Sequence, residues 1–488
     1  MDPDGLFAVG AALLTISALL AGVVARAPLS FPIVFLTLGL LLGEGTTGAL
    51  SVGFESDVLQ ATAFATLALV LFLDAMDLEI AIIRQHWHVP ALTLGPGALL
   101  VIALTAVAAI AITGLDPLLA FILAAVLAST DPVVLRDVVR DQRLPAMVRA
   151  TLRIEGGTND LIVLPPILIL VAVSTHEASG ALPWLGFLGE LLVIGPLAGA
   201  AVGFFGAWLM SAVDSRFPVQ REWQALYGIG LVLAAYAAGD SVGEDGFLAA
   251  FAAGAAVSLS SRTLCDCFLD FGRVLAELLM LLSFVLFGAL LSAELADVDL
   301  GPALALAVVA IFLIRPLAVG AALSLRRGRL SREARGFIAW FGPRGLNSLL
   351  LALIVIEAGV AEGEEIFGIV GVVVMASVAV HGISATPVSS WYARRVEAKT
   401  LPEERESTVA GLFAQLPASA EEAPRITAAE LKDLLAGPEP PLVVDVRARG
   451  GYGRDPFQIP GSVRVRPDEV ADWGREQERD RLIALYCT

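Results

Sequence analysis

Charged residues are scarce in this chain, and their scarcity excludes a soluble globular protein. Asp, Glu, Lys and Arg make up 17% of the 488 residues, against about 25% in an average soluble domain. Hydrophobic residues make up 57%, and the mean hydropathy is +0.78. The composition therefore indicates a protein that crosses a membrane many times.

Cysteine is almost absent, with three residues in the whole chain. Cys265 and Cys267 share one predicted cytoplasmic loop, where thiols normally stay reduced. Two neighbouring thiols do not make a metal site. The cysteine pattern therefore predicts neither a disulfide framework nor a bound metal.

Apolar runs of sufficient length predict thirteen transmembrane helices. The runs lie near 6–24, 29–43, 58–76, 89–112, 117–137, 147–174, 183–212, 223–239, 244–260, 274–292, 301–324, 335–357 and 365–391. The first run follows an acidic start and has no small-residue cleavage site, so we expect no cleaved signal peptide.

Lys and Arg are missing from every second loop between these runs. The loops without either residue are 44–57, 113–116, 175–182, 240–243, 293–300 and 358–364, whereas the alternate loops contain arginine. Because cytoplasmic loops carry the excess of Lys and Arg, the alternation places the N-terminus outside and the C-terminal tail in the cytoplasm. It also requires an odd number of crossings of the cell (inner) membrane.

Two carboxylates interrupt neighbouring apolar runs at similar depth. Asp131 lies in the run near 117–137 and Asp160 in the run near 147–174, and an arginine-rich turn separates the runs. In a helical hairpin, both acids lie near the middle of a ~30 Å hydrocarbon core. An ionisable residue at that depth by default marks an ion or proton path. Pro132 removes a backbone donor and predicts a broken helix at this point.

A second interruption lies in the run near 335–357, which contains Gly342, Pro343 and Gly345. The two interrupted runs are seven spans apart and so have opposite orientation. Matching interruptions of this kind predict an inverted-repeat transporter, with two broken helices that cross at the binding site. Arg344 in this run and Arg315 in the preceding run need carboxylate partners inside a membrane.

Three of these motifs together resemble the cation:proton antiporter 1 family, the prokaryotic sodium/proton exchangers. The motifs are STDP at 129–132, EGGTND at 155–160 and GPRG at 342–345, and the resemblance extends over about residues 6–392. It implies a homodimer with a dimerisation domain and a mobile core of six helices. It also implies an elevator-like motion and electroneutral exchange of one Na⁺, Li⁺ or K⁺ for one H⁺.

The resemblance also assigns roles to residues at matching positions. It makes Asp160 the carboxylate that binds the transported cation and the proton, with Asn159 beside it. Asp131 and Thr130 supply the side of the site that the broken helix forms. Because proton and cation compete for the same oxygens, exchange at one site is sufficient, and we expect neither an enzymatic activity nor a cofactor.

Glu155, one helical turn before Asp160, matches the acid that pairs with a core arginine. We expect Arg344 as that arginine, and the sequence leaves Arg315 as the alternative. The sequence departs from the family pattern at Gly156, where the family often has a serine that ligates the ion. We expect that ligand to be missing, or replaced by water or Thr158. The departure leaves the choice between Na⁺ and K⁺ open.

The composition changes after the last apolar run, so we divide the chain into three parts. Residues 1–398 form the transmembrane exchanger domain, 399–424 an acidic linker and 425–488 a small cytoplasmic α/β domain. The last part resembles an incomplete rhodanese-like domain, whose sulfur-carrying cysteine would be Cys487. One residue follows Cys487, so we expect a regulatory appendage rather than a sulfurtransferase.

The sequence thus predicts an all-α polytopic membrane protein with a small α/β tail, and three functions are compatible with it. The first is an antiporter for monovalent cations and protons. The second is a cation channel or uniporter, which would need a continuous polar path. The third is a membrane-anchored rhodanese-type sulfur sensor. We expect membrane lipid and a second copy of the chain as partners, and no nucleic acid.

Overall fold

The computed structural model describes most of the chain. The described residues are 11, 15, 19, 31–77, 87–141, 143–175, 181–243, 245–260, 262–325, 330–398, 426–437, 440–447, 457–466, 469–477 and 481–486. The predicted span near 6–24 (apart from three positions), the predicted linker 399–424 and Cys487 lie outside them.

The described membrane part is built from fourteen helices, some of them interrupted. They are α1 (Phe31–Leu42), α2 (Asp57–Met76), α3 (His88–Thr113), α4 (Pro117–Ala128), α5 (Pro132–Arg140), α6 (Ala146–Ser174), α7 (Ala181–Gly189 continuing as Gly195–Asp214), α8 (Arg221–Gly243), α9 (Gly246–Ser260), α10 (Arg262–Glu294), α11 (Leu300–Ser324), α12 (Arg332–Trp340), α13 (Leu346–Glu357) and α14 (Gly363–Ala398). Among the described residues, nine helical segments are long and apolar enough to cross a membrane. Every predicted span from 29–43 onward coincides with one of these helices or with a pair of them. The total of thirteen stays a prediction.

Three of the long helices contain a short π-helical turn, each next to a proline. The turns are Thr93–Gly97 in α3, Glu190–Ile194 in α7 and Ala310–Ile314 in α11. Proline cannot donate the backbone hydrogen bond of a regular turn, and a local π-turn is one way to accommodate that loss. Pro96 lies inside the first turn, whereas Pro196 and Pro316 follow the other two. The turn in α11 ends directly before Arg315, so it sets the direction of that side chain.

The helices pack into two groups. The scaffold group contains α1, α2, α7, α8, α9 and α10, in which α7 packs against α9 and α1 against α10. The core group contains α3 to α6 and α11 to α14, in which α4 packs against α3 and α6, and α13 against α14. Contacts between the groups involve α1 with α14, α2 with α6 and α13, and α10 with α13 and α14.

A buried ion pair joins two helices of the core group. The Arg315 guanidinium, at the start of the second half of α11, lies 2.5 Å from a Glu155 carboxylate oxygen of α6, and both side chains are 6% exposed. The expectation that Arg344 is the partner of Glu155 is therefore wrong. Arg344 instead folds back on its own loop, where its Nη1 donates to the Gly342 carbonyl at 2.8 Å.

The C-terminal part forms a three-stranded parallel sheet with two short helices. Its elements are α15 (Ala428–Leu435), β1 (Leu442–Asp445), β2 (Val463–Arg464), α16 (Val470–Arg475) and β3 (Ile483–Tyr486), with the strand order β2-β1-β3. Asp445 ends β1 and is completely buried. Burial alone would raise the pKa of the Asp445 carboxyl, but hydrogen bonds from Arg447 outweigh it and hold that pKa at about 2. The small α/β tail is thus present, whereas its likeness to rhodanese stays a prediction.

Replacement of Glu155 by alanine tests the buried pair. The change leaves the Arg315 charge buried without its carboxylate, so we expect the free energy of unfolding to fall by about 3–5 kcal/mol. The fall is measurable as a lower melting temperature of the purified protein in detergent. Glu277→Ala is the matched control, because the Arg136–Glu277 pair is 38% and 39% exposed and such pairs contribute about 0–1 kcal/mol. Equal melting temperatures for the two variants would contradict the structural role of Glu155.

Candidate ion-binding site

Two broken helices cross in the middle of the core group. The first break lies between α4 and α5 at Ser129, Thr130 and Asp131, and the second between α12 and α13 at 341–345. Asp131 precedes proline, which drives its backbone to an extended conformation, and its φ and ψ are −91° and 116°. The breaks contact each other directly, since the Asp131 amide donates to the Pro343 carbonyl at 2.9 Å.

The Asp131 carboxylate caps the amino ends of both half-helices that follow the breaks. Its Oδ1 accepts from the Val133 amide of α5 at 2.8 Å, and its Oδ2 accepts from the Leu346 amide of α13 at 3.0 Å. The amino end of a helix carries partial positive charge and unpaired donors, which a carboxylate stabilises. Asp131 is 1% exposed, so these backbone donors replace its hydration.

Side chains from other helices satisfy the carboxyl ends of α4 and α12. The Asn159 amide donates to the Ala128 carbonyl at 2.8 Å, and the Ser348 hydroxyl to the Val126 carbonyl at 3.1 Å. At the end of α12, the Arg315 guanidinium donates to the Phe341 carbonyl at 2.7 Å. In an apolar environment each unpaired carbonyl would cost several kcal/mol.

Asp160 lies at the crossing, and its carboxylate accepts a hydrogen bond from a side chain next to each break. The Ser129 hydroxyl donates to Asp160 Oδ1 at 2.6 Å, and the Asn347 amide donates to Oδ2 at 2.5 Å. All three residues are at least nine-tenths buried. The carboxylate is therefore held between the carboxyl end of α4 and the first turn of α13.

The structure brings most of the residues predicted for the site together. Asp160, Asp131 and Asn159 meet at the crossing, and Glu155 lies one turn earlier on α6. Thr130 lies in the first break, 1% exposed, and its Oγ1 has no hydrogen-bond partner among the described residues. An oxygen atom without a partner at this position is available as a ligand.

Asn347 and the hydroxyl of Ser129 also belong to the site, although neither was predicted from the sequence. Each is a polar residue next to a break: Ser129 opens the STDP motif, and Asn347 lies two positions after the last residue of the GPRG motif. An amide in an otherwise apolar half-helix is the signal that could have identified Asn347. Its role depends on the crossing of two distant segments, which the sequence does not display.

Two glycines of the second break are required by close contacts. A β-carbon on Gly345 would overlap the Asp131 carboxylate, and one on Gly342 would overlap the Arg315 guanidinium. Both positions therefore need glycine to let the charged groups approach the backbone.

Thr158 does not supply the ligand that Gly156 lacks. Its hydroxyl donates to the Ile154 carbonyl of its own helix at 2.6 Å, which is the usual bond of a threonine inside a helix. Gly156 itself packs against Pro132, and an added β-carbon would lie 3.1 Å from the proline ring. The proximity of α6 to the first break therefore leaves little room for a side chain at 156.

A water-accessible cavity of about 470 Å³ leads toward the site between the two groups. Its lining includes Asp74 of α2 and Gly157, which precedes Asp160 by one helical turn. Asp74 interacts electrostatically with Asp160 and Asp131, so it belongs to the approach to the site.

The Arg136–Glu277 pair, 3.0 Å apart, lies in the same lining and joins α5 to α10. Glu277 had no evident partner in the sequence, because its arginine lies 141 positions away in the chain.

A second cavity, of about 820 Å³, lies toward the other end of α6. Its lining includes Leu168 and Val171, whereas the first cavity contacts α6 at 150–157. At ~1.5 Å per residue the two contact regions are about 20 Å apart. Asp160 lines neither cavity, so the crossing lies between them.

The chain is similar to known cation:proton antiporters over most of its length. The family profile described as "Sodium/hydrogen exchanger, transmembrane" matches residues 12–391. A K⁺/H⁺ antiporter NhaP of Alkalimonas amylolytica is 29% identical over 378 residues, 76% of this chain and 64% of that protein. A K⁺/H⁺ antiporter NhaP2 of Shewanella oneidensis is 29% identical over 419 residues, 83% of this chain and 70% of that protein.

The fold is also that of a solved structure. The sodium proton antiporter MjNhaP1 of Methanocaldococcus jannaschii at pH 8 aligns with a TM-score of 0.65 at 20% identity, covering 80% of this chain and 97% of that one. The members of this family are secondary transporters of the membrane rather than enzymes. From the matched family profile and the shared fold, we conclude that the chain belongs to the sodium/hydrogen exchanger family.

Proposed function

We propose that this protein exchanges a monovalent cation for a proton across the membrane, with Asp160 as the shared carboxylate. The observation that carries the proposal is the position of Asp160: it is 3% exposed and lies at the crossing of two broken helices. The unpartnered hydroxyl of Thr130 and the Ser129 hydroxyl lie in the same break. Hard cations prefer such oxygen ligands.

Exchange follows from competition at this site. The cation and the proton use the same carboxylate oxygens, so Asp160 holds one or the other. If only an occupied site crosses the membrane, each inward step of one ion is matched by an outward step of the other. The proposed mechanism uses no cofactor besides the transported ions.

The proposed cations are K⁺ and Na⁺, with Li⁺ as a further candidate. The Alkalimonas and Shewanella relatives are named as K⁺/H⁺ antiporters, whereas the solved structure is named as a sodium proton antiporter. The chain spans less than two thirds of the Alkalimonas relative. The relatives therefore do not decide between K⁺ and Na⁺, and the preference depends on the residues of this chain's own site.

We further propose thirteen crossings arranged as two inverted repeats. Two pairs of similar irregularities support this: the π-helical turns in α3 and α11, and the breaks after α4 and α12. Members of each pair are seven predicted spans apart. With the arginine-rich loops in the cytoplasm, the N-terminus is outside, the tail is inside, and the 470 Å³ cavity faces the cytoplasm.

A homodimer embedded in lipid and a rhodanese-like tail complete the proposed organisation. In this proposal the scaffold group holds the dimer, and the core group moves as an elevator. A channel would need one continuous polar path, but neither described cavity includes Asp160 in its lining, which favours alternating access. A sulfur sensor has no comparable support from the described residues.

Asp160→Asn is the direct test of the shared carboxylate. Asparagine has a similar shape but neither binds a proton nor carries charge, so we expect exchange to be abolished while folding and membrane insertion persist. The measurement is cation-driven fluorescence dequenching of a pH dye in proteoliposomes with Na⁺, K⁺ and Li⁺. Asp116→Asn is the control: Asp116 caps α4 outside the site, and asparagine caps a helix equally well. Exchange by the Asp160 variant at the rate of the control would overturn the mechanism.

Exchange should also be electroneutral. Asp131 is bound by two backbone amides and Glu155 by Arg315, so in the proposed cycle both keep one protonation state. Asp160 then loses one proton for each cation that it binds, and no net charge crosses. We expect the initial rate of Na⁺-driven pH change in proteoliposomes to be independent of membrane potential.

A thiocyanate diffusion potential is suitable for this measurement, because it avoids K⁺, a proposed substrate. Vesicles with the Asp160→Asn variant give the leak under the same potential. A rate that changes with the sign of the potential would point to a second titrating group and refute electroneutrality.

A further inference from the structure

We propose that Asn347 is a specificity-determining residue, which reserves one oxygen of Asp160 and thereby favours K⁺ over Na⁺ and Li⁺. The inference rests on the proposed exchange of a monovalent cation at Asp160. It arises from an asymmetry: the two oxygens of this carboxylate have different kinds of hydrogen-bond donor.

The donor at Asp160 Oδ1 can become a cation ligand without moving. It is the Ser129 hydroxyl, 2.6 Å away, and a hydroxyl both donates and accepts. When a cation binds, the hydroxyl hydrogen rotates aside and its oxygen faces the ion. The Thr130 hydroxyl, which has no partner among the described residues, lies in the same break. Two oxygen atoms, Asp160 Oδ1 and Ser129 Oγ, are thus available together, and the Thr130 hydroxyl of the adjacent residue is a further candidate ligand.

The donor at Oδ2 cannot change in this way. It is the Asn347 Nδ2, 2.5 Å away, and an amide nitrogen only donates. Asn347 is 4% exposed, and its backbone lies in the first turn of α13, where the adjacent Leu346 amide is bound to Asp131. The side chain is therefore anchored at its base, and its amide keeps Oδ2 from contacting a cation.

This arrangement lowers the ligand field that the carboxylate offers. A cation meets one carboxylate oxygen instead of two, and the amide withdraws part of the negative charge from the other. Selectivity among monovalent cations depends on the number and the field strength of their ligands. Small ions such as Li⁺ and Na⁺ need the stronger field to compensate for their larger dehydration cost. A weakened carboxylate therefore favours the larger K⁺.

The missing side chain at 156 strengthens the same tendency. Gly156 supplies no side-chain oxygen, and the Thr158 hydroxyl is bound to its own helix. The site therefore has few protein ligands besides those on the Oδ1 side, and replacement of Asn347 should have a measurable effect on ion preference.

The test compares Michaelis constants for Na⁺ and K⁺ in proteoliposomes for the unaltered protein and the Asn347→Leu variant. Leucine has a similar volume but no donor, so Oδ2 becomes available. We expect the ratio KM(Na⁺)/KM(K⁺) to fall by about three- to tenfold, since one hydrogen bond to a charged group is involved. A merely structural role would lower the rate for both ions and leave this ratio unchanged.

Ser292→Ala is the matched control. Ser292 is buried near the end of α10 in the scaffold group, and its hydroxyl donates to the Ala289 carbonyl, so this change removes a buried polar group outside the site. We expect its KM ratio to equal that of the unaltered protein. An Asn347→Leu ratio equal to the control ratio would overturn the role of Asn347.

A second measurement decides the case in which Asn347→Leu does not turn over. Protection of the purified protein against thermal unfolding by NaCl and KCl reports cation binding without transport. The same shift toward Na⁺ is expected there, and equal protection ratios in variant and control would refute the proposal. Failure of the proposed exchange function differs from failure of the role of Asn347. The first would appear as the absence of any cation-driven proton movement with the unaltered protein.

Discussion

The structure depends on one constraint: four interrupted helix ends lie in the interior of a membrane protein and need partners. Water cannot supply those partners in the hydrocarbon region. Asp131 binds both amino ends, and Asn159, Ser348 and Arg315 bind carbonyls at the carboxyl ends. The capping residues come from α6, α11 and α13, so these elements must meet for the breaks to be tolerated.

This constraint explains why the charged residues of the site fall into distinct classes. Asp131 and Arg315 are bound to backbone groups of the breaks, and Arg315 is also neutralised by Glu155. Asp160 differs, because its two partners are side chains, Ser129 and Asn347. The Ser129 hydroxyl can turn aside without unfolding a helix, whereas backbone amides cannot. Among these groups Asp160 is therefore the one suited to exchange a partner, the Ser129 hydroxyl, for a cation in each transport cycle.

Much of this arrangement could be predicted from local sequence. Asp131 before Pro132, and Pro343 between glycines, locate both breaks, because proline and glycine act on the backbone where they stand. The π-helical turns could not be assigned in this way: prolines also occur at 165 and 166 inside α6 without such a turn. The family resemblance further identified Asp160, Asn159 and Glu155.

Pairings between distant residues were not predictable. Arg344 was the expected partner of Glu155, and both Arg344 and Arg315 are arginines inside apolar runs. The choice depends on the direction of each side chain, to which the π-helical turn before Arg315 and the extended backbone at Phe341 contribute. Asn347, Ser129 and Glu277 likewise gain their roles from residues on other helices. A single sequence contains the side chains but not these crossings.

The strength of the ion pairs also differs between the interior of the core group and its boundary. The Glu155–Arg315 pair lies within the core group and is almost completely buried, so its loss is costly. The Arg136–Glu277 pair joins the core group to the scaffold group and is more than a third exposed. Water can replace each partner there, and such a pair contributes only about 0–1 kcal/mol. An elevator motion needs this distribution, because contacts that move together must persist while contacts across the sliding boundary must break easily. The same distribution keeps Asp160, Asp131 and their helix ends together as one unit during the proposed movement.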